Sequence, residues 1–125
     1  MATAKKSVNF AFKSTSVTFA EIAGGGVNHI NLEGTATGFG TVLGTLSLFA
    51  DSHGAKAGRT KWIGTAYLDN GEQVRSTSEG FWQESGKHKW RVRGTLCNSL
   101  GDVYQSDGVI SLDGRTYKGT LTEST

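Results

Sequence analysis

Apolar and polar residues alternate along most of this chain, and a period of two predicts strands with one buried face. Val8, Phe10 and Phe12 alternate with Asn9, Ala11 and Lys13, and extended character continues over Val17 to Ile22 past a kink at Ser14 to Ser16. Gly24-Gly25-Gly26 predicts a turn. In the next segment Ile30, Leu32, Gly34 and Ala36 fall on one face, with His29, Asn31, Glu33 and Thr35 on the other. Thr41 to Phe49 is apolar on both sides, Val42, Leu46 and Leu48 against Leu43 and Phe49, as in a strand covered on both faces. That makes it the expected contact of a homo-oligomer.

The second half repeats the scheme. Ala50 to Gly58 reads as the longest loop, and Thr60 to Leu68 as the next strand. Asp69-Asn70-Gly71 predicts a tight hairpin, since Asn-Gly readily takes the positive φ angles such a turn requires. Glu72 to Glu84, His88 to Cys97, Val103 to Leu112 and Arg115 to Glu123 are further strands, with turns at Ser85-Gly86-Lys87, Asn98 to Asp102 and Asp113-Gly114. About eight strands joined by short hairpins predict an all-β fold, a single antiparallel up-and-down β-barrel. It is expected to occupy residues 1–125 as one domain, with residues 1–6 as a flexible tail. Closure removes the unpaired edges that an open sheet would expose.

Composition sharpens this picture at one point. With 18 Gly and no Pro, the turns fall to Gly, Asn, Asp and Ser, yet many glycines lie inside predicted strands. Gly-Thr recurs at Gly34-Thr35, Gly40-Thr41, Gly44-Thr45, Gly64-Thr65, Gly94-Thr95 and Gly119-Thr120. In a barrel, such glycines relieve inward crowding where the sheet coils, while each β-branched Thr faces outward and restores strand propensity.

The run AYLDNGEQVRSTSEGFW, followed by KWRVRGTL and DGRTYKGTL, resembles the strand, Asp-Gly turn, strand rhythm of allene-oxide-cyclase-like barrels. Over Val8 to Glu123 the pattern is similar to the wider group of small eight-stranded barrels that includes the avidin-like and lipocalin-like folds. The resemblance implies the fold, a ligand-sized interior and, on the cyclase side, a cofactor-free isomerase or cyclase. It carries over no catalytic residue.

Charge excludes more than it suggests. Residues 56–93 carry eight basic and four acidic side chains, against three and three before them and two and four after them. Such a local excess is small for a nucleic-acid binder. Trp90 also falls on the face opposite Lys89, Arg91 and Arg93, which separates any stacking platform from the charges. No nucleic-acid partner is therefore expected. No apolar run approaches the roughly 20 residues of a membrane-spanning helix, and MATAKKSVNF lacks an apolar export core. With a lone cysteine, Cys97, expected to be an inert buried thiol, the chain is expected to be cytoplasmic and without a membrane partner.

The functional expectation is a lumen that holds a small hydrophobic molecule. Phe10, Phe12, Ile30, Leu32, Trp62, Tyr67, Trp82 and Trp90 are its expected walls. His88, at the start of the Trp90 face, Glu79 and Tyr104 are the candidate catalytic residues; His88 has an unperturbed pKa close to neutral. His29, His53 and His88 lie in separate segments without metal-ligand spacing, so neither a metal nor another cofactor is expected. The alternative is a filled barrel serving as a non-catalytic structural or oligomeric interaction module.

Overall fold

Every alternating segment becomes a strand in the computed structural model, which describes residues 6–124. The strands are β1 (Ser7–Ile22), β2 (Gly25–Ala36), β3 (Gly40–Ala50), β4 (Ala57–Tyr67), β5 (Gln73–Gly86), β6 (Lys89–Asn98), β7 (Val103–Ser111) and β8 (Thr116–Glu123). Each pairs antiparallel with the next, and β8 returns to β1 to close the barrel. The seam runs from Ser7 opposite Thr122 to Lys13 opposite Thr116. Of the expected tail, residues 1–5 lie outside the described residues. Lys6 is engaged: its carbonyl accepts the Glu123 N–H at 2.8 Å, and its ammonium lies 5.6 Å from the centroid of the Phe39 ring.

The strand boundaries depart from expectation most clearly between β3 and β4. The loop spans residues 51–56, shorter than the expected Ala50 to Gly58, because Gly58 already pairs with Trp82. A Cβ on Gly58 would lie 1.9 Å from the Phe49 carbonyl oxygen and 2.6 Å from the Trp82 ring nitrogen. This glycine makes room for a packed indole; it does not mark a turn.

β1 is one strand, and its kink is a β-bulge. Ser14 pairs with Leu32 and Ser16 with Asn31, so Thr15 is the extra residue. A bulge shifts the side-chain alternation by one. Val8, Phe10 and Phe12 point inward before it; after it Val17 stands opposite Ile30, on the inner face again.

The inner face is apolar on all eight strands: Phe10 and Phe12, Leu32, Leu46, Trp62, Val74 and Trp82, Val92, Tyr104 and Tyr117 are all buried. Aromatic rings cross the middle of the lumen. Phe12 stacks on Trp62 with centroids 5.7 Å apart and planes 5° from parallel. Phe10 lies 5.2 Å from Phe12 and meets Tyr117 edge-on at 4.9 Å. The strand glycines make this possible. Gly44 stands opposite Gly64, and a Cβ on Gly44 would come within 2.3 Å of the Trp62 ring. Gly108 stands opposite Gly119, and its Cβ would meet Tyr117 at 2.6 Å. Within the Gly-Thr repeat, Gly34, Gly44 and Gly64 stand where rings need space, whereas Gly94 and Gly119 stand against the backbone of the neighbouring strand.

β3 is covered on both faces at one end alone. Ser47 is buried on the outer side, with its Oγ 2.6 Å from His29 Nδ1, and the Arg59 guanidinium sits 5.0 Å over the Phe49 ring. Thr41 and Leu43 stay exposed. Among the described residues no helix is long and apolar enough to cross a membrane.

Candidate functional site

The aromatic septum of Phe12, Trp62 and Tyr117 divides the interior into two unequal halves. One half lies towards the chain ends and the turns after β2, β4 and β6. Its cavity, with a volume of about 70 Å³, is lined by Phe10, Val42, Val74, Leu96 and Tyr104 with Ser76, Ser78 and Ser106. That is room for a few waters and far below the roughly 300 Å³ of an ordinary ligand pocket. Its polar groups serve the wall: Trp62 Nε1 donates to Ser76 Oγ at 2.9 Å, and Ser106 Oγ donates to the Gly94 carbonyl at 3.2 Å.

The other half faces the turns after β1, β5 and β7 and the loop at 51–56. It holds a cavity of about 530 Å³, within the ordinary range for small-molecule sites. Ile30, Leu32, Leu48, Trp82, Trp90 and Ile110 form its walls, and Val17 and Phe19 of the outer reach of β1 form a lip. Phe19 is 75% exposed, an unusual state for a phenylalanine carried on the inner face of a sheet. Trp82 is fixed in place because its Nε1 donates to the Phe49 carbonyl at 2.9 Å.

The polar complement of this cavity is small. Ser14, Asn28, Ser52, His53, Ser111 and Thr116 are at or near its margin, Arg115 supplies a cation, and among the described residues no Asp or Glu lines it. Tyr117 borders both halves. Burial holds its phenol well above the usual tyrosine range, with the nearby Asp107 carboxylate adding to the effect.

The expected wall residues divide accordingly. Phe10, Phe12 and Trp62 border the narrow half, and Ile30, Leu32, Trp82 and Trp90 the wide one. Tyr67 does not reach the lumen: it points outward and is 42% exposed, because the inner positions of β4 are Thr60, Trp62, Gly64 and Ala66. The three candidate catalytic residues are not brought together. His88 sits in the turn after β5 with φ of 52°, exposed and off the cavity lining, so it does not extend the Trp90 face. Glu79 is on the outer wall, 4.0 Å from Lys61 Nζ. Tyr104, 1% exposed, is packed in the narrow half. Cys97, expected to be buried, is exposed on the outer face, since Leu96 beside it takes the inner one.

Sequence reasoning missed Val17, Phe19, His53 and Arg115 as cavity residues. Two of them depend on the Thr15 bulge for their orientation, and the other two come from a loop and a turn, where no alternation exists to read. Among the described residues no group of three or more His, Cys, Asp or Glu side chains could hold a metal ion.

Comparison of the chain with protein-family models, with curated proteins and with solved structures finds no match in any of the three.

Proposed function

We propose that the wide half of the barrel binds one small, mostly apolar organic molecule. The observation that carries this reading is the contrast between the two halves. The same eight strands pack the narrow half down to about 70 Å³ and leave about 530 Å³ beside Trp82 and Trp90. Unfilled apolar volume lowers stability, by about 24 cal/mol per Å³ where it is enclosed. A lumen evolved solely as a core would be filled throughout, as its other end is.

The finer resemblance to allene-oxide-cyclase-like barrels draws on the same space. Isomerase or cyclase chemistry here would rest on confinement, the walls holding a reactive molecule in one shape. Among the described residues no acidic side chain lines the cavity to assist it.

Fluorescence tests the binding reading. Titrating the protein with a panel of apolar compounds should shift or quench the emission of Trp82 and Trp90, and Trp82→Phe with Trp90→Phe should remove most of the response. Trp62, on the far side of Phe12, should contribute little. A panel in which no compound alters the emission would sink the proposal.

A second reading, an oligomeric interaction module, draws on Leu43, Ile63 and Phe81, all exposed on the outer wall of β3 to β5. It predicts a sedimentation velocity above that of a monomer, returning to the monomer value in Leu43→Glu. A wild-type chain that sediments as a monomer at all accessible concentrations rules it out.

A further inference from the structure

Building on the wide cavity as a ligand site, we infer that its ligand carries a single carboxylate, held at the mouth by Arg115 while the apolar body lies against Trp82 and Trp90. Among the described residues Arg115 is the one permanently ionised side chain in the cavity lining, and no Asp or Glu accompanies it. Nor does it have an acidic partner elsewhere: among the described residues the ion pairs are Arg59 with Asp51, Lys61 with Glu79 and Arg91 with Asp107. An unpaired guanidinium beside an apolar wall favours an anion. Its planar fork of donors matches both oxygens of a carboxylate, and because Arg115 is exposed at the mouth the attraction is one that solvent and salt screen.

The backbone holds Arg115 at this spot at a cost. Its φ of 51° is in the left-handed region, which is unfavourable for a residue with a Cβ. Two hydrogen bonds fix it there. Its N–H donates to the Leu112 carbonyl at 3.1 Å, and its carbonyl accepts the Ser14 N–H at 2.9 Å. Ser14 is the residue directly before the bulge that turns Val17 and Phe19 into the lip. One structural joint therefore sets both the cation and the apolar edge of the cavity. An amphiphile with an ammonium head would meet the guanidinium with no acid to offset it, and a neutral one would leave it unpaired.

The test uses the full chain with decanoate, 1-decanol and decylamine, read by tryptophan fluorescence. Decanoate should bind about two- to fivefold more tightly than 1-decanol, the range of a solvent-exposed charge pair, and decylamine more weakly than either. Arg115→Asn keeps a residue that tolerates the left-handed conformation and removes the charge. It should abolish the preference for decanoate by lowering the affinity for decanoate towards that of 1-decanol in the same variant. Raising the salt concentration should weaken decanoate alone. Equal affinity of the wild-type protein for decanoate and 1-decanol would overturn the inference and leave the cavity reading intact, as would an equal loss of both in Arg115→Asn. Failure of all three compounds to bind would defeat both readings together.

Discussion

Gly44 and Gly64 face one another across β3 and β4, and the Trp62 ring occupies the space that their two Cβ atoms would take. Gly44→Ala is therefore expected to destabilise by about 1–3 kcal/mol through overpacking, measured by chemical denaturation. Tyr117 gives a prediction in the alkaline range. Its phenol is raised by burial, so the folded chain keeps the proton while an unfolded chain releases it near pH 10. The contribution is complete below pH 10 and is lost above it, by about 1.4 kcal/mol per pH unit, until the folded phenol also ionises. Tyr117→Phe should flatten that decline, and equal slopes for the two proteins between pH 10 and 11 would refute it. Asp107 acts at the other end of the scale. The hydrogen bonds from Arg91, at 3.0 and 2.6 Å, hold its carboxyl below the usual range. That support is present above the ordinary carboxylate pKa near 4 and fades as pH falls through the lower, folded value. Asp107→Asn should shift acid unfolding little, because the pair is exposed to solvent. At this scale Cys97 was expected to be a buried thiol and is exposed: the alternation that turns Trp90, Val92, Gly94 and Leu96 inward turns Cys97 outward and overrides the general tendency of cysteines to be buried. A thiol reagent should modify it in the native protein, with no denaturant and no loss of the far-ultraviolet β signal.

Among the elements, β1 owes its shape to Thr15, the extra residue of its bulge. Deleting Thr15 would remove the bulge and keep Val17 and Phe19 inside, because Ser14 (inward) would then be followed by Ser16 (outward) and Val17 (inward) with their pairing to β2 unchanged. The expected result is a folded barrel by circular dichroism, with binding in the wide half within about threefold of wild type if side-chain direction alone makes the lip. A loss of at least about tenfold would mean that the local bend and twist of the bulge shape the mouth as well. Hairpin positions were legible because Asn70-Gly71 and Asp113-Gly114 have the chemistry their turns need, Gly71 at φ of 92° and Gly114 at 84°. Ala57 and Gly58 were read as loop because sequence alone does not distinguish a glycine that bends a chain from one that admits a neighbouring indole.

Closure of the whole molecule was legible from hairpin rhythm, and the position of the site was not. Strand alternation identifies inward residues on each strand separately; which half of the lumen they reach depends on the stagger around the barrel. Phe12 and Leu32 both read as wall, yet Phe12 belongs to the septum and Leu32 to the wide cavity. The β1 to β8 seam also brings the two ends of the described chain side by side, with Ser7 opposite Thr122. A circular permutant joined there by a short Gly/Ser linker and opened between Asn70 and Gly71 should regain the barrel, because the break falls in an exposed turn. Loss of the β signal in that permutant would show that the turn is needed to begin folding.

The stacked pair of Phe12 and Trp62 makes this barrel a cup, not a pipe. Under the proposed binding function a guest would have one doorway, so arrival and departure would share a path, and a second molecule could not push the first out from behind. Residence time would then be governed at the rim, where Phe19 and Leu112 stand, whatever grips the guest deeper down. Trp62→Ala would perforate the floor of the cup. Its signature would be arrival and release accelerated by the same factor, since a second doorway changes rates and not affinity, whereas a rim substitution that weakens the grip speeds release alone.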